Sequence, residues 1–224
     1  MKNIHIVFDL DWTLADTQKI HQKIESEFLK SKGANINPKK IGEQYAGRSP
    51  SERIPEFLKQ ESIFFEISEI EDFIKSKDKK IVELLHKWEI ELMPFVKETL
   101  SQLSQKWCKI WISSGACREF INDFISYFNF ENIIGSSTSA NEVKNKKPAP
   151  DVFISSFKIL EENYWKSDDK FVVGDGKSDI IWWHHAGAKT IFYNNSQIET
   201  SDEIGNILDF TITSFEHLPN IIYK

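Results

Sequence analysis

Short apolar runs rich in β-branched residues alternate with helical patterns along most of this chain. Ile4–Phe8 is the first such run and reads as a buried strand. Ile110–Ile112 is the second, after the polar stretch Ser104–Lys109; Lys170–Val173 is the third and ends at Gly174. Thr190–Tyr193 is a fourth and Thr211–Thr213 a fifth. Between them, helical patterns cover Phe95–Leu103, Glu119–Phe128, Pro150–Glu162 and Asp179–Ala186. Strand and helix alternating over about 130 residues predict a Rossmann-like parallel α/β sheet with helices on both faces.

Residues 16–94 follow a different pattern. Thr17–Lys32, Ser51–Lys59, Ile67–Ile74 and Lys79–Leu92 are helix-like, no strand signal stands out, and Gly33, Pro38, Gly47 and Pro50 punctuate the stretch. A helical block inserted after the first strand reads as a small second domain, 16–94, set into an α/β core made of 1–15 and 95–224.

Composition narrows the class. Of 224 residues, 40% are hydrophobic and 28% charged, ordinary for a globular chain large enough to bury a core. A net charge of −6 lacks the basic excess of a nucleic-acid binder, although the basic run Lys144–Lys147 can meet an anion. No apolar run reaches the ~18 residues that span a bilayer, and the first residues turn acidic too soon for a signal peptide. Cys108 and Cys117 form no CxxC pair and read as two reduced structural thiols. The expectation is a cytoplasmic protein, monomer or homodimer, with neither a membrane nor a nucleic-acid partner.

Candidate chemistry lies where the strands run out. Asp9 and Asp11 follow the first strand, and residues two apart in an extended chain face one side. Two crowded carboxylates raise each other's pKa unless a cation intervenes, and magnesium binds through one or two carboxylates plus phosphate oxygens. Ser113-Ser114-Gly115 ends the second strand with small hydroxyls and a glycine that let N–H and O–H groups approach an oxyanion. Lys147 heads the stiff turn Pro148-Ala149-Pro150, where its ammonium can neutralise a phosphoryl group or a crowded carboxylate. Asp175 sits between Gly174 and Gly176 at the tip of the third strand, and Asp179 follows near the start of the next helix. Taken singly, each segment is also explained as an ordinary turn, surface loop or helix cap. All four together place carboxylates, a hydroxyl and a lysine at one end of a parallel sheet.

The order Asp9-x-Asp11-x-Thr13, then Ser114-Gly115, then Lys147-Pro-x-Pro-Asp151, then Gly174-Asp175-x3-Asp179 resembles the haloacid dehalogenase superfamily. The helical insert is similar to the cap of the subgroup that holds phosphoglycolate phosphatase and β-phosphoglucomutase. The resemblance implies a phosphatase for a small phosphorylated metabolite, with Mg2+ as cofactor. It makes Asp9 the nucleophile that forms an aspartyl-phosphate and Asp11 the general acid/base, oriented by Thr13. Ser114 and the Gly115 N–H would hold the phosphoryl group, with Ser113 the neighbouring hydroxyl at the same place. Lys147 would balance charge. Asp9, Asp175 and the Asp11 carbonyl would bind the metal, supported by Asp179. Asp11 separates this chain from the dehalogenases, which lack that second aspartate.

In the insert, His21 falls where mutases and several sugar-phosphate phosphatases carry a cap histidine. Gly47-Arg48-Ser49 with Arg53 resembles the specificity loop, and Lys77 falls roughly at a sugar-contacting lysine. The mutase's phosphate-gripping arginine is replaced here by Pro50, which weighs against a phosphosugar mutase, the alternative activity. A non-enzymatic phospho-aspartate receiver is the third class; receivers lack a helical cap. Trp12 stands where related phosphatases usually have glycine, as a packing residue or a steric limit on the leaving group.

Overall fold

A computed structural model describes residues 2–34, 36, 50–87, 89–145, 149, 151–176, 187–195 and 207–224. The strands are β1 (Ile4–Phe8), β2 (Cys108–Ser114), β3 (Ile134–Ser139), β4 (Asp169–Gly174), β5 (Lys189–Tyr193) and β6 (Phe210–Ile212). The helices are α1 (Gln18–Ser31), α2 (Pro50–Gln60), α3 (Ile67–His86), α4 (Val96–Gln105), α5 (Arg118–Tyr127), α6 (Asp151–Asn163) and α7 (Leu218–Ile222). None of the described helices is long and apolar enough to cross a membrane.

The six strands form one sheet in the order β3-β2-β1-β4-β5-β6, and every neighbouring pair is parallel. Burial on both faces explains why the central strands are apolar throughout. One face carries Ile4, Ile6, Phe8, Ile110, Ile112, Phe171 and Val173, packed with α4, α5 and α7. The other carries Val7, Trp111 and Val172 against Val152, Phe153, Phe157 and Leu160 of α6. The chain moves outward from β1 to β2 and β3, then returns to β4 on the other side of β1. In such a doubly wound sheet the crevice at the carboxyl ends of β1 and β4, where strand order reverses, is the place for a ligand.

β3 is a strand that the hydrophobic pattern does not signal. Its sequence, Ile-Gly-Ser-Ser-Thr-Ser, is polar, yet Ser137, Thr138 and Ser139 are buried. Their hydroxyls are satisfied locally: Thr138 Oγ1 accepts from Trp111 Nε1 at 3.1 Å and from the Ser156 hydroxyl at 2.8 Å.

Between β1 and α4 the described chain is helical. Leu29, Ile54, Phe57, Leu58, Ile70 and Phe73 from α1, α2 and α3 form their own apolar cluster, with Phe28 stacked on Phe73 at 4.0 Å. The two patterns expected over Ile67–Ile74 and Lys79–Leu92 are one continuous helix, α3, that stops at His86. Its far half delivers Ile81, Val82 and Leu85 to the main core, and His86 Nε2 reaches Asp123 of α5 at 2.8 Å. The chain enters and leaves this region through paired connections. Ala15 bridges Leu92, the Met93 N–H donates to the Leu14 carbonyl at 2.9 Å, and the Asp16 N–H donates to the Glu91 carbonyl at 2.9 Å.

Candidate active site

β1 delivers Asp9 to the crevice. Its N–H donates to the Val173 carbonyl at 2.9 Å, which continues the β1–β4 ladder and leaves Asp9 8% exposed. The chain then closes a tight loop. The N–H groups of Leu14 and Ala15 both donate to the Leu10 carbonyl, at 2.9 and 3.0 Å, and the Trp12 N–H donates to the Ala15 carbonyl at 2.8 Å. Trp12 takes φ of 57° in this loop, the left-handed region that favours glycine. Its half-buried indole packs against the main core. Burial of the ring offsets a backbone conformation that costs on the order of 1 kcal/mol or more for a bulky residue.

Asp175 emerges from β4 beside Asp9, since Phe8 and Val173 are register partners. The Thr13 hydroxyl donates to Asp175 Oδ1 at 2.9 Å. The resemblance implies that Thr13 orients Asp11; the loop turns its hydroxyl to Asp175 instead, so it steadies the β4 carboxylate. Burial pushes the Tyr193 phenol up, and the charges of Asp16 and Asp175 push it further, which puts Asp16 in the same acidic neighbourhood.

Asp11 is held from the helical region. Its Oδ1 accepts from the Thr17 hydroxyl at 2.8 Å and lies 3.0 Å from His21 Nε2. Burial by itself would raise the Asp11 carboxyl. The charge of His21, hydrogen bonds from His21 and Thr17, and the charge of Lys77 outweigh that and hold it at about 2. Thr17, His21 and Glu25 follow at intervals of four along one face of α1. The spacing is legible in the sequence, but the parts played by Thr17 and Glu25 are not, because neither stands out as a motif.

Glu25 is 0% exposed and sits between two cations. Its Oε1 lies 2.5 Å from both Arg53 Nη2 of α2 and Lys77 Nζ of α3, and Lys77 is itself only 4% exposed. Burial would raise the Glu25 carboxyl, but Lys77 and Arg53 hold it down at about 2.

At the end of β2 the two serines part company. Ser113 Oγ is bonded to Ser156 Oγ of α6, on the Trp111 face of the sheet. The expectation that the Ser113 hydroxyl lines the site therefore fails: side chains alternate along a strand, and this one points into the opposite layer. Ser114 is buried on the other face, and its Oγ accepts the Ala116 N–H at 3.0 Å, shaping the Ser114-Gly115-Ala116 turn. The Ser139 hydroxyl ties that turn to β3 by donating to the Ala116 carbonyl at 2.7 Å. Gly115 is exposed, and a Cβ built on it would meet no atom within 4 Å.

The structure thus brings Asp9, Asp11, Thr13, Asp175, Ser114 and Gly115 to the carboxyl edge of the sheet, with His21 reaching in from α1. Lys147, Arg48 and Asp179 lie outside the described residues. Among the described residues no three His, Cys, Asp or Glu side chains form a metal cage by themselves. Asp9, Asp175 and the Asp11 main chain nevertheless offer an all-oxygen donor set, the kind a hard divalent cation takes with water and phosphate completing the shell.

A family model described as haloacid dehalogenase-like hydrolase matches residues 6–193. The chain is 24% identical over 216 residues to (DL)-glycerol-3-phosphatase 2 of Arabidopsis thaliana, covering 94% of this chain and 86% of that one. It is 24% identical over 161 residues to the protein CbbY of Rhodobacter capsulatus, covering 69% and 70%. Among solved structures, CbbY from Rhodobacter sphaeroides in complex with phosphate superposes with a TM-score of 0.78 at 20% identity, covering 97% of this chain and 96% of that one.

Proposed function

The chain belongs to the haloacid dehalogenase-like hydrolase family, and on that premise we propose that it is a magnesium-dependent phosphatase that hydrolyses a small phosphomonoester through an aspartyl-phosphate on Asp9. The observation that carries this reading is the placement of Asp9 beside Asp175 at the β1–β4 switch point, with Asp11 held two residues on by Thr17 and His21. The similarity to a glycerol-3-phosphatase supports hydrolysis of a phosphate ester by this family's chemistry.

In this reading an Asp9 carboxylate oxygen attacks phosphorus, and the bond from phosphorus to the leaving oxygen breaks. Asp11 gives that oxygen a proton, then takes one from the water that attacks the aspartyl-phosphate, regenerating Asp9 and releasing inorganic phosphate. Asp11 is held ionised in the structure, which suits the second half of the cycle. For the first half it takes up a proton beside the substrate. The Ser114 hydroxyl accepts from Ala116 and would donate its own proton to a phosphoryl oxygen, with the N–H of the exposed Gly115 as the donor for a second oxygen.

Asp9, Asp175 and the Asp11 carbonyl would hold Mg2+, which neutralises charge on the transferring group. Thr13 fits this arrangement as the hydroxyl that orients Asp175. Lys147 would balance the negative charge of nucleophile and phosphate, and Asp179 would support the metal side, as the family resemblance implies. Residues 16–94 act as the cap that excludes water and contacts the leaving group, hinged where Ala15 pairs with Leu92.

The test is magnesium-dependent release of phosphate from a panel of phosphorylated metabolites, glycerol 3-phosphate among them, with Asp9→Asn in parallel. Turnover that depends on magnesium and falls at least about 10³-fold in the variant supports the reading. Equal rates for both proteins, or none with any ester, reject it.

A further inference from the structure

Resting on the phosphatase reading, we infer that Glu25 sets the charge the cap offers to the leaving group and so selects esters whose leaving group carries no second phosphate. Glu25, Arg53 and Lys77 come from three different helices and meet inside the helical region. One carboxylate oxygen, Oε1, holds both cations, so Glu25 offsets one of their two positive charges. Glu25 lies one helical turn beyond His21, which touches Asp11, and the charge of Lys77 is felt at Asp11 itself.

A second phosphate on the leaving group would compete with Glu25 for these two cations. To gain them, a dianion must be stripped of water and must displace a carboxylate already in place at 2.5 Å. A hydroxylated, uncharged leaving group meets no such competition. Discrimination by a buried anion against an anionic substrate is specificity by repulsion, which is effective because an unpaired buried charge is costly. Glu25 is thus a specificity-determining residue that acts through Lys77 and Arg53.

The experiment uses a matched pair, glucose 6-phosphate and glucose 1,6-bisphosphate, with magnesium present, on wild-type protein, Glu25→Gln and Arg53→Gln. Both kcat/KM and calorimetric binding are measured, after circular dichroism shows each variant folded. Wild type is expected to favour the monophosphate. In Glu25→Gln the bisphosphate-to-monophosphate ratio rises by about tenfold or more, through the KM and Kd of the bisphosphate rather than through kcat. In Arg53→Gln, which removes one positive charge, the ratio falls; this arm decides the matter if Glu25→Gln does not fold. A purely structural staple lowers both substrates in parallel, and unchanged ratios in the folded variants overturn the inference. Should no protein release phosphate, the phosphatase reading fails separately. The binding ratio then stands alone: a shift in the stated directions sustains the role of Glu25, and no shift, or no binding at all, ends it.

Discussion

His21 Nε2 lies 3.0 Å from Asp11 Oδ1, and the Thr17 hydroxyl donates to the same oxygen at 2.8 Å. The contact joins the first helix of the insert to the loop that follows β1. It also locates a carboxylate that would otherwise sample several rotamers at the edge of the sheet. His21→Asn is expected to lower kcat/KM by about 10- to 100-fold, because Asp11, the proposed acid/base group, loses a partner that orients it. Thr17→Val is expected to cost about tenfold. Both residues act on one oxygen, so steady-state kinetics of the double variant should show less than the product of the two losses.

Thr13 donates to Asp175 at 2.9 Å across the β1–β4 crevice. In the proposed site Asp175 holds magnesium, and a hydroxyl that fixes such a carboxylate typically affects metal affinity more than folding. Thr13→Val should therefore weaken activation by magnesium by about 10- to 100-fold, read as the concentration giving half-maximal rate, with Thr13→Ser close to wild type. Equal half-saturation in all three proteins would remove Thr13 from the metal side of the site.

Much of this site is legible in the sequence because its chemistry sits at strand ends, and buried parallel strands announce themselves as apolar runs. Asp9, Ser114 and Asp175 follow such runs directly, and the structure gathers them at one edge. What is not legible depends on pairing across distance. β3 carries no apolar signal because its buried Thr138 hydroxyl is satisfied by Trp111 and Ser156, so a polar sequence packs where an apolar one is expected. The apolar period of α3 breaks at Ser76-Lys77-Asp78, yet Lys77 is buried on the inner face against Glu25 and the helix runs on. Position along the chain does not fix where Thr13 and Ser113 point; the turn of the loop and the alternation of β2 do.

The Glu25 cluster makes an ordered stability prediction. Glu25→Gln removes the carboxylate that Lys77 and Arg53 share, and breaking a buried pair in that way costs about 3–5 kcal/mol. Lys77→Met leaves Glu25 paired with Arg53 and should cost less, about 1–3 kcal/mol. Denaturant unfolding of both variants and of the double variant should show a coupling of at least about 1 kcal/mol. Additive losses would mean the two side chains do not share one electrostatic site.

His5 gives the pH dependence of folding a specific origin. It is 0% exposed in the middle of β1, on the face that carries Val7, and neither ring nitrogen has a hydrogen-bond partner among the described residues. Burial lowers its pKa below the usual 6.5; the Glu161 carboxylate opposes the shift, and the ammonium groups of Lys170 and Lys109 reinforce it. The folded protein therefore keeps His5 neutral at pH values where the unfolded chain has already taken up a proton. Above about pH 6.5 both states are neutral there and His5 adds no slope. As pH falls below 6.5 toward the lower folded-state value, the unfolded state binds more protons and stability drops, by up to about 1.4 kcal/mol for each unit by which the pKa is lowered. His5→Leu removes this source of slope. Urea unfolding at pH 7.5 and pH 5.0 should thus show a smaller loss on acidification in the variant than in the wild type. An identical loss in the two proteins would show that the acid sensitivity arises elsewhere, among carboxylates paired in the folded state.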